Sequence, residues 1–173
     1  CAAPRYALML AADALVDVTG QTVTVFLSQL AYVRCGLSGA QLGAAYLGMT
    51  LVGLMQGVSY KATHALGRRG FSIAVCMLMA AACGGLCLAR GPLWCVACVW
   101  CVQLCWRLWQ PFAQTMHNDS VRLGARSVVL SGYSMAQSLA MSGLNLGLGR
   151  LADVRLPLAF AAAGAFCMLA LVL

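Results

Sequence analysis

Residues 6–33 read YALMLAADALVDVTGQTVTVFLSQLAYV. The stretch is long and mostly apolar, yet it carries Asp13 and Asp17. At about 100° per residue, Asp13, Asp17, Gln21, Thr24 and Ser28 fall within about 80° of one helical face. Leu8, Leu10, Leu15, Val18, Val25 and Leu30 cover the others. In water this would be an ordinary amphipathic helix. Here the surrounding chain is apolar, so the polar stripe must face protein or a wet cavity. A carboxylate at membrane depth is costly and needs a partner or a task. Two readings follow: a structural ion pair that holds helices together, or a working pair of acids.

The rest of the chain has the same character. Of 173 residues, 62% are hydrophobic and 9% charged, against about 25% charged in soluble domains. The mean hydropathy is +0.87. This composition predicts an all-α integral membrane protein with no soluble domain. Six apolar segments are expected, at 6–33, 39–62, 71–89, 92–114, 127–149 and 156–173. Each is near the roughly 20 residues that cross a hydrocarbon core about 30 Å thick. The start at Cys1 and the apolar end at Leu173 predict a piece of a longer chain. A lipidated Cys1 is not expected, because no linker separates it from the first segment.

The net charge of +7 does not point to nucleic acid, because the bases sit at segment ends. It is read instead as topology. Arg5, Lys61, Arg68, Arg69, Arg122 and Arg126 fall on one side. Arg34, Arg90, Arg150 and Arg155 fall on the other. The excess predicts that both ends lie in the cytoplasm and that the chain crosses the cytoplasmic (inner) membrane.

Ten cysteines raise the question of a metal site, above all the run Cys95, Cys98, Cys101 and Cys105. The sequence argues against it. His64 and His117 are expected in loops, and a membrane cysteine is a small apolar residue. No metal and no cofactor are expected.

In the second segment, Gly39 with Gly43 and Gly53 with Gly57 form small-xxx-small pairs, read as helix-packing sites. A basic loop is expected over 60–70. The third segment, almost without polar side chains, is expected to face lipid. In the fourth, Gln103, Arg107, Gln110 and Gln114 fall within about 60° of one face. Arg107 and Asp13 each lie about 10 Å from the same side, so Arg107 is expected to face the two acids or share their cavity. Snorkelling of Arg107 to the surface is the alternative. Pro111 is expected to kink the segment. The fifth carries Ser131, Ser134, Ser138, Ser142 and Asn145 beside a small stripe of Gly132, Ala136, Ala140, Gly143 and Gly147. The serines could line a path or bond back to their own helix. The sixth segment, apolar all round, is expected to face lipid.

Several motifs then carry a resemblance. Asn118-Asp119 leads to the run from Arg126 to Ser131, then to Gln137-Ser138-Leu139 and to Gly149-Arg150-Leu151-Ala152-Asp153. This order resembles the tenth-to-eleventh helix region of major facilitator superfamily transporters. The run from Phe26 to Leu30, followed by Cys35-Gly36-Leu37-Ser38 and Leu42-Gly43, resembles the seventh-to-eighth helix passage. Gly67, Arg68, Arg69 and Gly70 resemble the basic cytoplasmic loop motif, with His64 where an acid is usual and Ala65 where a base is usual. The resemblance implies the carboxyl-terminal six-helix half of a twelve-helix carrier, with its first and fourth helices lining the cavity.

On this reading the chain carries a small solute by secondary active transport, by alternating access, against an amino-terminal half. Asp13 and Asp17 would couple a proton or touch the solute, and Arg107 would be their partner or an anion anchor. Gln21, Thr24, Ser28, Gln103 and Gln110 would add neutral hydrogen bonds. The expected partners are a solute, a coupling proton, the missing half and the lipid bilayer, with no nucleic acid. A non-transporting structural or assembly subunit is the alternative. An enzyme is not expected: Gly132-Tyr133-Ser134 resembles a serine nucleophile, but that chemistry needs a histidine at membrane depth.

Overall fold

The computed structural model describes residues 3–120 and 126–173. Cys1, Arg122 and the side chains of Arg5, Arg126 and Tyr133 lie outside the described residues. The described chain is helical almost throughout. α1 (Ala3–Gln21) passes through a π-helical turn (Thr22–Leu27) into α2 (Ser28–Arg34). α3 (Gly39–Gly53) passes through a 3-10 turn (Leu54–Val58) into α4 (Ser59–Cys87). α5 (Pro92–Ser120), α6 (Arg126–Val154) and α7 (Leu156–Val172) complete the order.

The punctuation is local chemistry. Gly36 takes φ 80° after α2, a left-handed turn that a side chain would disfavour. Ser38 then opens α3 with a capping box, its N–H donating to Gln41 Oε1 at 2.9 Å. Proline stands first in α5 and second in α7, where its missing N–H is not needed.

Three helices among the described residues are long and apolar enough to cross a membrane: Ala7–Arg34, Gly39–Cys87 and Pro92–Asp119. Leu156–Val172 is apolar but shorter. The stretch 39–87 would be about 70 Å long if straight, more than twice the hydrocarbon core. It is not straight. Gly67 sits at φ 71°, ψ 161°, a backbone state reserved for glycine. Before it, Ala45 meets Trp100, Gly53 meets Arg107 and Ser59 meets Leu108, so this arm runs parallel to α5. After it, Phe71 meets Phe112 and Gly85 meets Trp94, so the second arm runs antiparallel. The chain therefore folds back near Gly67. The basic loop expected over 60–70 is helix on both sides of one glycine.

α5 is the hub. α1 crosses it antiparallel, through Asp13 to Trp109 and Asp17 to Trp106. α7 runs antiparallel to the second arm of α4, through Gly164 to Cys83 and Pro157 to Cys87. α6 runs parallel to α1, through Gln137 to Asp17 and Asn145 to Thr22. Val16, Val23, Phe71, Met79, Val102 and Phe160 form the centre of the core.

The two segments expected to face lipid each carry a buried stripe beside an exposed apolar one, with Ile73, Met77 and Leu78 exposed in the third and Leu158, Met168 and Leu169 in the sixth. The third segment buries Phe71, Val75, Met79 and Cys83, and the sixth buries Ala159, Phe160, Ala163 and Cys167. A helix that is apolar all round has no polar face to mark which side is inside. Size decides instead: the α7 stripe of Ala159, Ala163 and Gly164 lets the helices approach. Of the four glycines in the two expected pairs, Gly53 alone packs against neighbours, Arg107 and Gln103. A Cβ on Gly39, Gly43 or Gly57 would meet nothing within 4 Å. Gly48 packs more closely, because Trp100 lies across it and donates to the Ala45 carbonyl at 3.0 Å.

α5 continues through Pro111 to Ser120. Proline leaves the carbonyl four residues before it without an intrahelical donor. Close by, the Ser59 hydroxyl donates to the Leu108 carbonyl at 2.6 Å.

Candidate functional site

All four tryptophans of the chain lie on α5, and each indole N–H finds an acceptor on a neighbouring helix. Trp94 donates to the Gly85 carbonyl and Trp100 to the Ala45 carbonyl. The other two end on carboxylates. Trp106 Nε1 donates to Asp17 Oδ1 at 2.6 Å, and Trp109 Nε1 to Asp13 Oδ1 at 2.7 Å. The spacing explains the match. The acids stand four residues apart on α1 and the tryptophans three apart on α5, so antiparallel helices bring them together in two rungs.

Each acid has a second partner. His117 Nε2 lies 2.9 Å from Asp13 Oδ2, with both residues buried. Gln137 Nε2, from α6, reaches Asp17 Oδ2 at 3.4 Å. The site thus joins α1, α5 and α6. Gly20 makes it possible. A Cβ there would sit 2.7 Å from Trp106 Cβ and closer still to the ring. Only a bare backbone lets Trp106 lie across α1 and reach Asp17.

The acids line a cavity of about 440 Å³ whose other walls include Gln110, Gln114, Asn118 and Ser134. Asp13 and His117 also line a second cavity, of about 460 Å³, between α1, α4, α5 and α7. That one is largely apolar, with Ile73, Phe112 and Leu171 in its walls and Arg68 and Arg69 at its edge. The Asp13–His117 pair therefore stands between two cavities of different chemistry.

The expected site residues divide. Asp13, Asp17 and Gln110 meet at the polar cavity. Thr24 and Ser28 are buried but bond within their own helix, to the carbonyls of Gly20 and Thr24. Ser28 also lies 3.2 Å from Tyr46 Oη. Gln21 is half-buried and is not in the cavity wall. Gln103 is buried on the α3 side, beside Gly53.

Arg107 makes no ion pair with either acid, which corrects the expectation. Its guanidinium lies 5.1 Å over the Trp106 ring, and a Cβ on Gly53 would be 3.6 Å from its Nε. The reason is angular. Neighbouring residues on a helix point about 100° apart, so turning Trp106 toward α1 turns Arg107 toward α3. Gly67 and Arg69 are exposed, and Arg68 pairs with Asp119 at 2.6 Å on the surface.

Both histidines lie in helices rather than loops, His64 exposed and His117 buried. Hydropathy hides His117, because the apolar run of the fourth segment closes at residue 114. It shares a face with Trp106, Trp109 and Ala113 at helical spacing, and that stripe is the signal the sequence offers. The tryptophans escape sequence reasoning when they are counted as apolar, without their N–H. At the π turn Thr22 Oγ1 donates to Asn145 Oδ1. A π turn inside an α-helix often marks a working site.

No family model, curated protein or solved structure matches this chain.

Proposed function

We propose that this chain is the carboxyl-terminal six-helix half of a secondary transporter of the major facilitator type. It moves a small solute across the cytoplasmic membrane by alternating access against an amino-terminal half. The observation that supports this reading is the pair of acids on α1, held by tryptophans and a histidine of α5 at an open polar cavity that α6 borders.

The chemistry suits coupling. As a carboxylate, Asp13 accepts from Trp109 and bonds His117. A proton on Asp13 turns one accepting oxygen into a donor and removes the charge. The hold of α1 on the far end of α5 then weakens, and the two helices are free to part. Because the pair borders both cavities, the same proton can enter from one and leave by the other.

The test is flux in proteoliposomes that carry the full-length protein. Asp13→Asn and Asp17→Asn are expected to lower solute flux more than tenfold, whereas Arg107→Gln, turned toward α3, retains most of it. Undiminished flux in both aspartate variants removes the reading.

A second reading has one observation behind it. His117, bonded to Asp13, lines the same cavity as Ser134, so a nucleophilic Ser134 would have a histidine at its own cavity. Labelling by a fluorophosphonate that is lost in Ser134→Ala would favour hydrolysis over transport.

A further inference from the structure

The two acids are not equivalent, and the difference points to the charge of the cargo. Asp13 has the His117 imidazole against it. Asp17 has Trp106 Nε1 and Gln137 Nε2, which are neutral donors. Hydrogen bonds from neutral groups orient a carboxylate and lower its desolvation cost, but they leave its charge in place. Among the described residues no lysine or arginine lines this cavity. The base that sequence spacing offered, Arg107, is turned away over Trp106. Asp17 lies about 15 Å along the Ala7–Arg34 helix, near the middle of a hydrocarbon core about 30 Å thick. A negative charge at that depth favours whatever positive charge the cavity admits.

We infer that the cargo of this cavity is a small organic cation, a protonated amine, whose ammonium group docks on Asp17. A bare metal ion fits poorly. Hard cations take six or more oxygen ligands, and the described residues hold no group of three or more metal-ligating side chains. An ammonium needs few acceptors and brings its own donors. The Asp17 carboxylate takes it, the amides of Gln110, Gln114 and Gln137 serve the polar remainder, and Trp109 supplies an apolar wall. This inference rests on the transport reading only in treating the cavity as the cargo's.

Three phenols of nearly the same shape separate the outcomes: tyramine (+1), tyrosol (neutral) and 4-hydroxyphenylacetate (−1). Binding to the full-length protein in lipid nanodiscs is measured by titration calorimetry. Tyramine is expected to bind about tenfold or more tighter than tyrosol, as a charge-assisted bond implies, and the acid weakest. Asp17→Asn, which keeps shape, is expected to erase the preference by bringing tyramine down to the affinity of tyrosol. Asp17→Glu is expected to keep it. Equal binding of tyramine and tyrosol, a preference for the anion, binding of none of the three, or a preference that survives Asp17→Asn overturns the inference. Flux is scored separately. A protein that prefers tyramine through Asp17 but moves no solute keeps the inference and loses the transport reading. One that moves only neutral or anionic solutes does the reverse.

Discussion

Gly20→Ala is a one-carbon change aimed at the contact that builds the site. The new Cβ would lie 2.7 Å from Trp106 Cβ and nearer to the indole ring. The helix backbone is fixed by its own hydrogen bonds, so Trp106 must move. Overpacking of this kind costs about 1–3 kcal/mol. Moving the ring also breaks the 2.6 Å bond to Asp17, and a bond to a charged group is worth roughly 1.5–3 kcal/mol. Alanine returns about 1 kcal/mol of helix propensity. The net expectation is a loss of about 1.5–5 kcal/mol. Gly84→Ala is the control. That glycine lies in α4, and a Cβ there would meet nothing within 4 Å, so only the propensity gain applies. Denaturant unfolding in detergent, followed by tryptophan fluorescence, compares the two. The double variant Gly20→Ala with Trp106→Phe should lose less than the sum of its parts, because the two changes share one contact. If Gly20→Ala is as stable as the parent, or if the double variant is additive, Trp106 does not lie across α1 and the reasoning fails.

Four further outcomes are expected. His117→Leu removes the imidazole from Asp13 and costs roughly 1.5–3 kcal/mol in the same unfolding assay, with His117→Gln costing less; equal stability of all three proteins would contradict the pairing. Gly67→Ala forces a side chain into φ 71°, ψ 161° and costs about 1–3 kcal/mol, which a lowered melting temperature reads and an unchanged one refutes. Arg68→Gln breaks an ion pair whose side chains are 62% and 51% exposed, so the loss stays below about 1 kcal/mol and vanishes in high salt. Thr22→Val takes the donor from Asn145 and costs about 1 kcal/mol; combined with Asn145→Leu it should add little more.

Much of this is legible in the residues themselves. Transfer of apolar side chains out of water dictates burial or a membrane, so 62% hydrophobic residues and the long run over 6–33 announce membrane-length helices without any tertiary knowledge. The 100° step of a helix likewise places Asp13 and Asp17 on one face and Gln110 on a polar face of α5. Which faces meet is a different matter. Rotation of α5 about its axis decides between Trp106 and Arg107 as the neighbour of Asp17, and that rotation depends on where Gly20 leaves room for an indole. The length of α5 past residue 114 decides whether His117 is in a loop or buried against Asp13. α7, apolar on every side, could not reveal its inner face until Gly164 and Cys83 were in contact. Periodicity is a property of one helix and can be read along the chain. Partnership belongs to pairs of helices, and steric fit at a few small residues sets it only when the chain has folded.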